Sequence, residues 1–143
     1  MLIIHTAFIG DIILLTPLVE TLIESTDSEI HLLLTPTTRN IFEHHPKIAN
    51  IIVYDKNGAD KGVKGFNRLR KILYQEKFDI ILAPHRSLRT ALLARLSAAA
   101  IRVGFNTSAG ALLFNRKISY LKNIHEIERN LMFASALNIF QHQ

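Results

Sequence analysis

Apolar residues fall along this chain in two rhythms. Short, mainly apolar runs stand at Leu2, Ile3 and Ile4, at Ile30 to Leu34 with His31 inside it, at Ile51 to Tyr54, and at Asp79 to Ala83, where Asp79 precedes the apolar residues. Such runs suit strands covered on both faces. Between them the spacing lengthens. Leu15, Leu18, Val19, Leu22 and Ile23 recur at i, i+3, i+4, i+7 and i+8, the stripe of one helical face. Phe66, Leu69, Ile72 and Leu73 do the same within a helix expected over 63–77. Ser87 is placed to cap a helix carrying Leu88, Leu92 and Leu96 on one side. Arg102 to Phe105 and Ile118 to Leu121 read as two brief strands. A last helix is expected over 125–139, with Ile127, Leu131, Ala134 and Leu137 facing inward.

Polar segments punctuate this pattern. Ser25 to Ser28 makes a turn, Thr35 to Thr38 ends a strand and caps a short helix to about His44, and Asp55 to Gly58 forms a loop. Strands alternate with helices throughout, over connections long enough for right-handed crossovers. The pattern predicts an α/β, Rossmann-like three-layer domain with a mainly parallel sheet spanning residues 1–143. Strands are expected near 2–5, 30–34, 51–54 and 79–83, with helices on both faces and Asp11 at the carboxyl edge, where open α/β sheets bind ligands.

Composition adds a partner class. The chain has 143 residues, 48% of them hydrophobic, and no cysteine, so disulfides and thiolate metal sites are excluded. No apolar run reaches the roughly 20 residues a membrane span needs, and the first residues lack the basic region of a signal peptide. Seventeen basic residues against 12 acidic ones give a net charge of +5, which favours anionic partners. Lys56, Lys61, Lys64, Arg68, Arg70, Lys71 and Lys77 crowd one segment. Lys64, Arg68 and Lys71 share a helical face, which by itself describes a solvated surface as well as a binding one. Aromatic content is 8%, without basic and aromatic residues interleaved, so no nucleic-acid partner is expected.

Chemistry narrows to strand ends. The dinucleotide fingerprint, the Walker sequence, the His-Glu-x-x-His motif and the Gly-x-Ser-x-Gly elbow are all missing, and no metal is expected. Gly10 offers a sharp turn after the first strand and Asp11 follows it. Asp11 reads either as a helix N-cap or as a proton acceptor. Pro17 leaves two arrangements open: a kinked helix from Asp11, or a helix restarting with Thr16 as cap and Pro17 at its first position. His85, Arg86, Ser87 and Arg89 follow the fourth strand, and Arg129 lies three residues beyond Glu126. A carboxylate near guanidinium groups suits proton abstraction from a hydroxyl of an anionic substrate. Lys64, Arg68, Lys71, Arg86 and Arg89 are expected to line one cleft facing Asp11.

Four blocks carry a resemblance. Gly10 to Leu18 (GDIILLTPL), Phe78 to Leu93 (FDIILAPHRSLRTALL), Arg102 to Phe105 (RVGF) and His125 to Asn130 (HEIERN) resemble, in this order, the N-terminal half of the ADP-heptose:lipopolysaccharide heptosyltransferases of glycosyltransferase family 9. The second block leans toward the heptosyltransferase II type. The resemblance implies an inverting enzyme of two Rossmann-like domains, the GT-B architecture. It also implies that Asp11 is the general base, and that Gly10, Lys64, Arg68, Lys71, His85, Arg86, Ser87, Arg89 and Arg129 serve substrate binding. The implied partners are a phosphorylated lipopolysaccharide core acceptor, ADP-heptose as donor substrate rather than cofactor, and peripherally the inner membrane. The implied location is the inner face of that membrane in a Gram-negative cytoplasm. The chain is expected to be the acceptor-side domain alone, with the donor-binding domain absent. The alternative is a stand-alone, non-catalytic domain that binds an anionic glycolipid or a nucleotide.

Overall fold

In the computed structural model, which describes residues 1–137, six parallel strands lie in the order β3-β2-β1-β4-β5-β6. They are β1 (Leu2–Ile4), β2 (Ile30–Leu34), β3 (Ile48–Val53), β4 (Ile80–Ala83), β5 (Ile101–Phe105) and β6 (Arg116–Ile118). The helices are α1 (Ile9–Ile13), α2 (Thr16–Ser25), α3 (Gly62–Glu76), α4 (Leu88–Leu96) and α5 (Glu126–Ala136). The first strand is central. Leu2 stands opposite His31 on one side and Ile81 on the other, and Ile3 opposite Leu32 and Leu82. Successive side chains of a strand point to opposite faces. Ile3, Leu32, Leu82 and Val103 therefore pack under α2 and α5, while Leu2, Ile4, Leu33 and Ile81 pack under α3 and α4. The three-layer parallel architecture expected from the pattern is the one observed.

Several boundaries differ. The third strand starts at Ile48 and ends at Val53, with Tyr54 buried just beyond it. The short helix expected to reach His44 is one 3-10 turn, Arg39–Ile41. Ile118 closes the last strand instead of opening it. In α4 the buried side carries Thr90, Ala91, Leu93 and Ala94, whereas Leu88 and Leu96 are exposed. Small residues let α4 lie close to the sheet, and the leucine stripe turns outward. In α5 the fully buried residues are Arg129, Asn130, Phe133 and Ala134, while Ile127, Leu131 and Leu137 are only half-buried. Residues 138 and 139 of that expected helix lie outside the described residues. Among the described residues no helix is long and apolar enough to cross a membrane.

The first helical segment is broken in two. Thr16 is the first residue of α2 rather than its cap, Leu15 precedes it, and Pro17 follows. Proline has no N–H to donate, so it belongs in the first turn. The break frees the Leu14 carbonyl, and the buried Asn130 of α5 supplies it with an Nδ2 donor at 3.1 Å. Gly10 lies within α1, away from the left-handed region, with open space where a Cβ would stand. It is not the turn glycine the sequence suggested. Gly65 is the opposite case. There α3 passes the loop 55–60 so closely that a Cβ would stand 1.9 Å from the Asp60 carbonyl oxygen.

Candidate active site

The site forms where the strand order reverses. β1 and β4 are neighbours, but the chain leaves β1 toward β2 on one side and β4 toward β5 on the other. The loops after these two strands diverge and leave a crevice at their carboxyl ends. His5 and Thr6 extend β1, and Pro84, His85, Arg86 and Ser87 follow β4.

At the crevice floor the His5 and His85 rings stack, with centroids 5.4 Å apart and planes 5° from parallel. Thr6 Oγ1 lies 3.1 Å from His85 Nδ1. Lys56 reaches in from the loop after β3, and its Nζ donates to the Thr6 carbonyl oxygen at 3.0 Å. Burial, helped by His85 and then Lys56, pushes the His5 imidazole down to about 3. Burial and the Lys56 ammonium also push His85 down, against an upward pull from Asp11. Lys56 itself is lowered, first by burial and then by the Arg89 guanidinium. The imidazoles are thus held neutral, because each charged form would lose water and face cations.

Two cavities open above this floor, sharing Ala7, Phe8 and His85. The first, of about 510 Å³, is lined by Thr6, Thr35, Thr37, Tyr54, Lys56 and Arg89 among others. Its two cations stand with hydroxyl donors, a set that recognises an anion. The second, of about 640 Å³, holds Asp11, His85, Arg86, Ser87, Thr107 and Tyr120. Asp11 is the third residue of α1, and its Oδ2 accepts the backbone N–H of Phe8 at 3.2 Å. It is therefore not the N-cap. It reaches back to the cap residue with one oxygen and remains half-buried on the cavity wall. Capping and proton acceptance, alternatives in the sequence, are compatible in this geometry, because a carboxylate has two oxygens.

The other expected residues divide. Arg86 stacks on the Tyr120 ring at 3.8 Å and donates from Nη1 to Thr107 Oγ1 at 3.3 Å. Ser87 caps α4, accepting the Thr90 N–H at 3.1 Å, and still lines the second cavity. Arg89 lines the first cavity, 5.9 Å from the Tyr54 ring centroid. Arg129 is buried and lines neither. It pairs with Glu126, donates to the Leu121 carbonyl at 2.9 Å and to the Ile124 carbonyl at 3.1 Å, and so ties down the segment that carries Tyr120.

The basic face of α3 is not brought to the site. Lys64 and Lys71 are exposed and line neither cavity. Arg68 donates from Nε to Asp60 Oδ1 at 2.8 Å, anchoring the loop that presents Lys56. The sequence reading missed His5, Thr6, Thr35, Tyr54, Lys56 and Tyr120. The strand-end rule would have found His5 and Thr6, the residues directly after β1. Among the described residues no group of three or more histidine or acidic side chains is placed to hold a metal ion.

A parallel sheet of this order, with polar cavities at the reversal of strand order, defines a Rossmann-like ligand-binding domain. The chain belongs to glycosyltransferase family 9 (heptosyltransferase), whose sequence pattern matches residues 66–142. That match takes in His85, Arg86, Ser87, Arg89 and Arg129 and starts beyond Asp11. Among solved structures, the chain is similar to a family 9 glycosyl transferase of Veillonella parvula, with 26% identity and a TM-score of 0.81 over 96% of this chain and 41% of that one. It is similar in fold to E. coli heptosyltransferase WaaC, solved with ADP-2-deoxy-2-fluoro heptose, at 20% identity and a TM-score of 0.78, over 96% of this chain and 48% of that one. E. coli ADP-heptose LPS heptosyltransferase II matches at 18% identity and a TM-score of 0.77, over 93% and 39%. The chain thus spans less than half the length of each of these structures. No curated protein matches it.

Proposed function

We propose that this domain is the acceptor-side half of a heptosyltransferase and that Asp11 is its general base. The observation that carries the reading is Asp11 itself: a carboxylate with one oxygen on the Phe8 N–H, lining a cavity with His85, Arg86 and Ser87. An acceptor hydroxyl on that wall would give its proton to Asp11 as its oxygen bonds to the anomeric carbon of the donor sugar. The bond from that carbon to the diphosphate oxygen breaks in the same displacement, and the nucleoside diphosphate leaves. Attack from the face opposite the leaving group inverts the anomeric centre.

The partners follow from charge and family. Lys56, Arg89 and Arg86 surround the two cavities with cations, which supports a phosphorylated acceptor such as the lipopolysaccharide inner core. The donor in this reading is ADP-heptose, held mainly by a second domain. WaaC, which is similar in fold, has been solved with an analogue of that donor.

The test is Asp11→Asn, assayed in a protein that carries this domain together with its donor-binding half. Asn retains the acceptor for the Phe8 N–H, so the melting temperature should hold. Transfer should fall by about 10²- to 10⁴-fold, the usual contribution of a general base. Near-normal turnover in the Asn variant would leave Asp11 with its helix-capping role alone.

A further inference from the structure

An aromatic side chain stands in water at the mouth of the crevice. Phe8 is 83% exposed and belongs to neither apolar core cluster. A single exposed apolar residue is ordinary. Phe8 is set apart by its position, because it lines both cavities. Ala7 and His85 do so as well, but Ala7 is too short to protrude, and His85 is held at the floor beside Thr6 Oγ1 at 3.1 Å. Phe8 is therefore the side chain that rises on the ridge between them.

The backbone holds this ring in place. Phe8 is the cap residue of α1. Its N–H donates to Asp11 Oδ2 at 3.2 Å, and its carbonyl accepts the Ile12 N–H at 3.2 Å. The ring thus keeps a fixed relation to the Asp11 carboxylate while its faces stay open to solvent. The two cavities it separates differ in charge. The first has the Lys56 and Arg89 cations, and Asp55 on its wall accepts the Ala59 N–H. The second has Asp11, with Glu126 beside it paired to Arg129. A ligand that fills both cavities has to cross Phe8.

We propose that the Phe8 ring is a platform on which a sugar ring of the acceptor stacks. The anionic group of the acceptor lies in the first cavity against Lys56 and Arg89, and its reacting hydroxyl lies in the second at Asp11. Sugar chemistry selects this occupant. A pyranose presents C–H groups on its faces, slightly positive at hydrogen, and these match the negative face of an aromatic ring. Its hydroxyls stay at the rim for polar partners. Thr35 and Thr37 in the first cavity and Ser87 and Thr107 in the second are such partners. A purely apolar occupant would leave those groups unsatisfied, and a bare phosphate would leave the ring uncovered. The inference deepens the transfer reading and rests on it for the nature of the acceptor. It adds that the anion and the reacting hydroxyl lie on opposite sides of the stacked sugar.

The chain has no tryptophan, so Phe8→Trp creates a single fluorescent reporter that can still stack. The probe is a de-acylated, phosphorylated inner-core oligosaccharide, titrated into the full chain carrying Phe8→Trp together with Asp11→Asn, so that binding is read apart from turnover. The expected result is a saturable shift of the emission. Inorganic phosphate alone should not reproduce it. The same titration of Ile13→Trp, at an exposed position of α1 that lines neither cavity, should show no shift. In a protein that also carries the donor-binding half, Phe8→Ala should raise the acceptor KM about five- to tenfold and leave kcat within about twofold, since stacking holds ground state and transition state alike. Phe8→Tyr should keep the wild-type KM. Both variants retain the backbone N–H that Asp11 accepts. The proposal is overturned by a reporter that does not respond up to the solubility limit of the oligosaccharide, or that responds equally to phosphate. A ligand-free emission that shifts with protein concentration also overturns it, because a second copy would then cover the ring. So does a Phe8→Ala enzyme with unchanged KM, or one whose loss is confined to kcat. A silent reporter beside an inactive Asp11→Asn enzyme would remove the platform and leave the general base in place. A responding reporter supports the platform whatever Asp11→Asn does to turnover.

Discussion

Two helical glycines should answer the same substitution with opposite signs. Replacing glycine by alanine inside a helix ordinarily stabilises by about 1 kcal/mol, through backbone entropy. Gly10→Ala should follow that rule up to about 1 kcal/mol, since its Cβ meets nothing within 4 Å. Gly65→Ala should reverse it. Its Cβ would stand 1.9 Å from the Asp60 carbonyl oxygen and 2.4 Å from the Asp60 Cα, both backbone atoms that no rotamer change can move. The Asp60 backbone must retreat by about 1.5 Å to restore ordinary contact. Retreat pulls Asp60 off its partners: Arg68 Nε at 2.8 Å on one carboxylate oxygen and the Asp55 N–H at 3.0 Å on the other. Hydrogen bonds to a charged group contribute about 1.5–3 kcal/mol each, and the helix-propensity gain offsets about 1 of that. The expected net loss is about 2–5 kcal/mol, a large share of the 5–15 kcal/mol typical of a domain. Urea unfolding of the two variants beside wild type measures it. A Gly65→Ala protein as stable as wild type would show that the loop is not held by these contacts, and the placement of Lys56 would lose its explanation.

Three further outcomes follow from the same geometry. Asn130→Ala removes the donor to the Leu14 carbonyl and should cost about 1–3 kcal/mol in denaturant unfolding. Arg68→Ala should destabilise by about 1–3 kcal/mol, since Arg68 is half exposed but its partner Asp60 is buried, whereas Lys64→Ala and Lys71→Ala should stay within about 0.5 kcal/mol of wild type. His5 has a folded value of about 3 against 6.5 unfolded, so its contribution is fully present above pH 6.5 and is lost as pH falls toward 3. The unfolding free energy from urea titration should drop over that window by up to about 1.4 kcal/mol per pH unit, and His5→Gln should flatten the slope.

The sequence is most legible where residues can do only one thing. β1 and β4 are unbroken apolar runs and β2 is interrupted only by His31, and they sit where the pattern put them. The start of β3 escaped because Ala49 and Asn50 are exposed at the sheet edge, where pairing with β2 rather than hydrophobicity extends the strand. The facing of α4 escaped because leucines lie on more than one side of it, and two small alanines decided which side meets the sheet. His85, Arg86 and Ser87 were legible because they follow β4 directly, and Asp11 because it lies in the first turn of the first helix after β1. Lys56 was not, because its side chain crosses to Thr6, 50 positions away, from a loop whose course only the fold determines. Lys64, Arg68 and Lys71 misled for a related reason: helical spacing shows that three cations share a face but not which way that face points.

The position of β1 bears on how the crevice comes into being. The strand order divides the sheet into residues up to Val53, which make β3, β2 and β1, and residues from Ile80 onward, which make β4, β5 and β6. Each half can pair its own strands through local crossovers. The crevice floor cannot be made by either, because His5 comes from one half and His85 from the other. It appears only when Leu2 and Ile3 meet Ile81 and Leu82 along the seam between the halves. During synthesis, a ribosome that has released the first half has exposed one bare edge of β1 and no binding site. Asp11 waits longer still, since the break beneath its short helix is closed by Asn130, donating to a carbonyl 116 residues earlier.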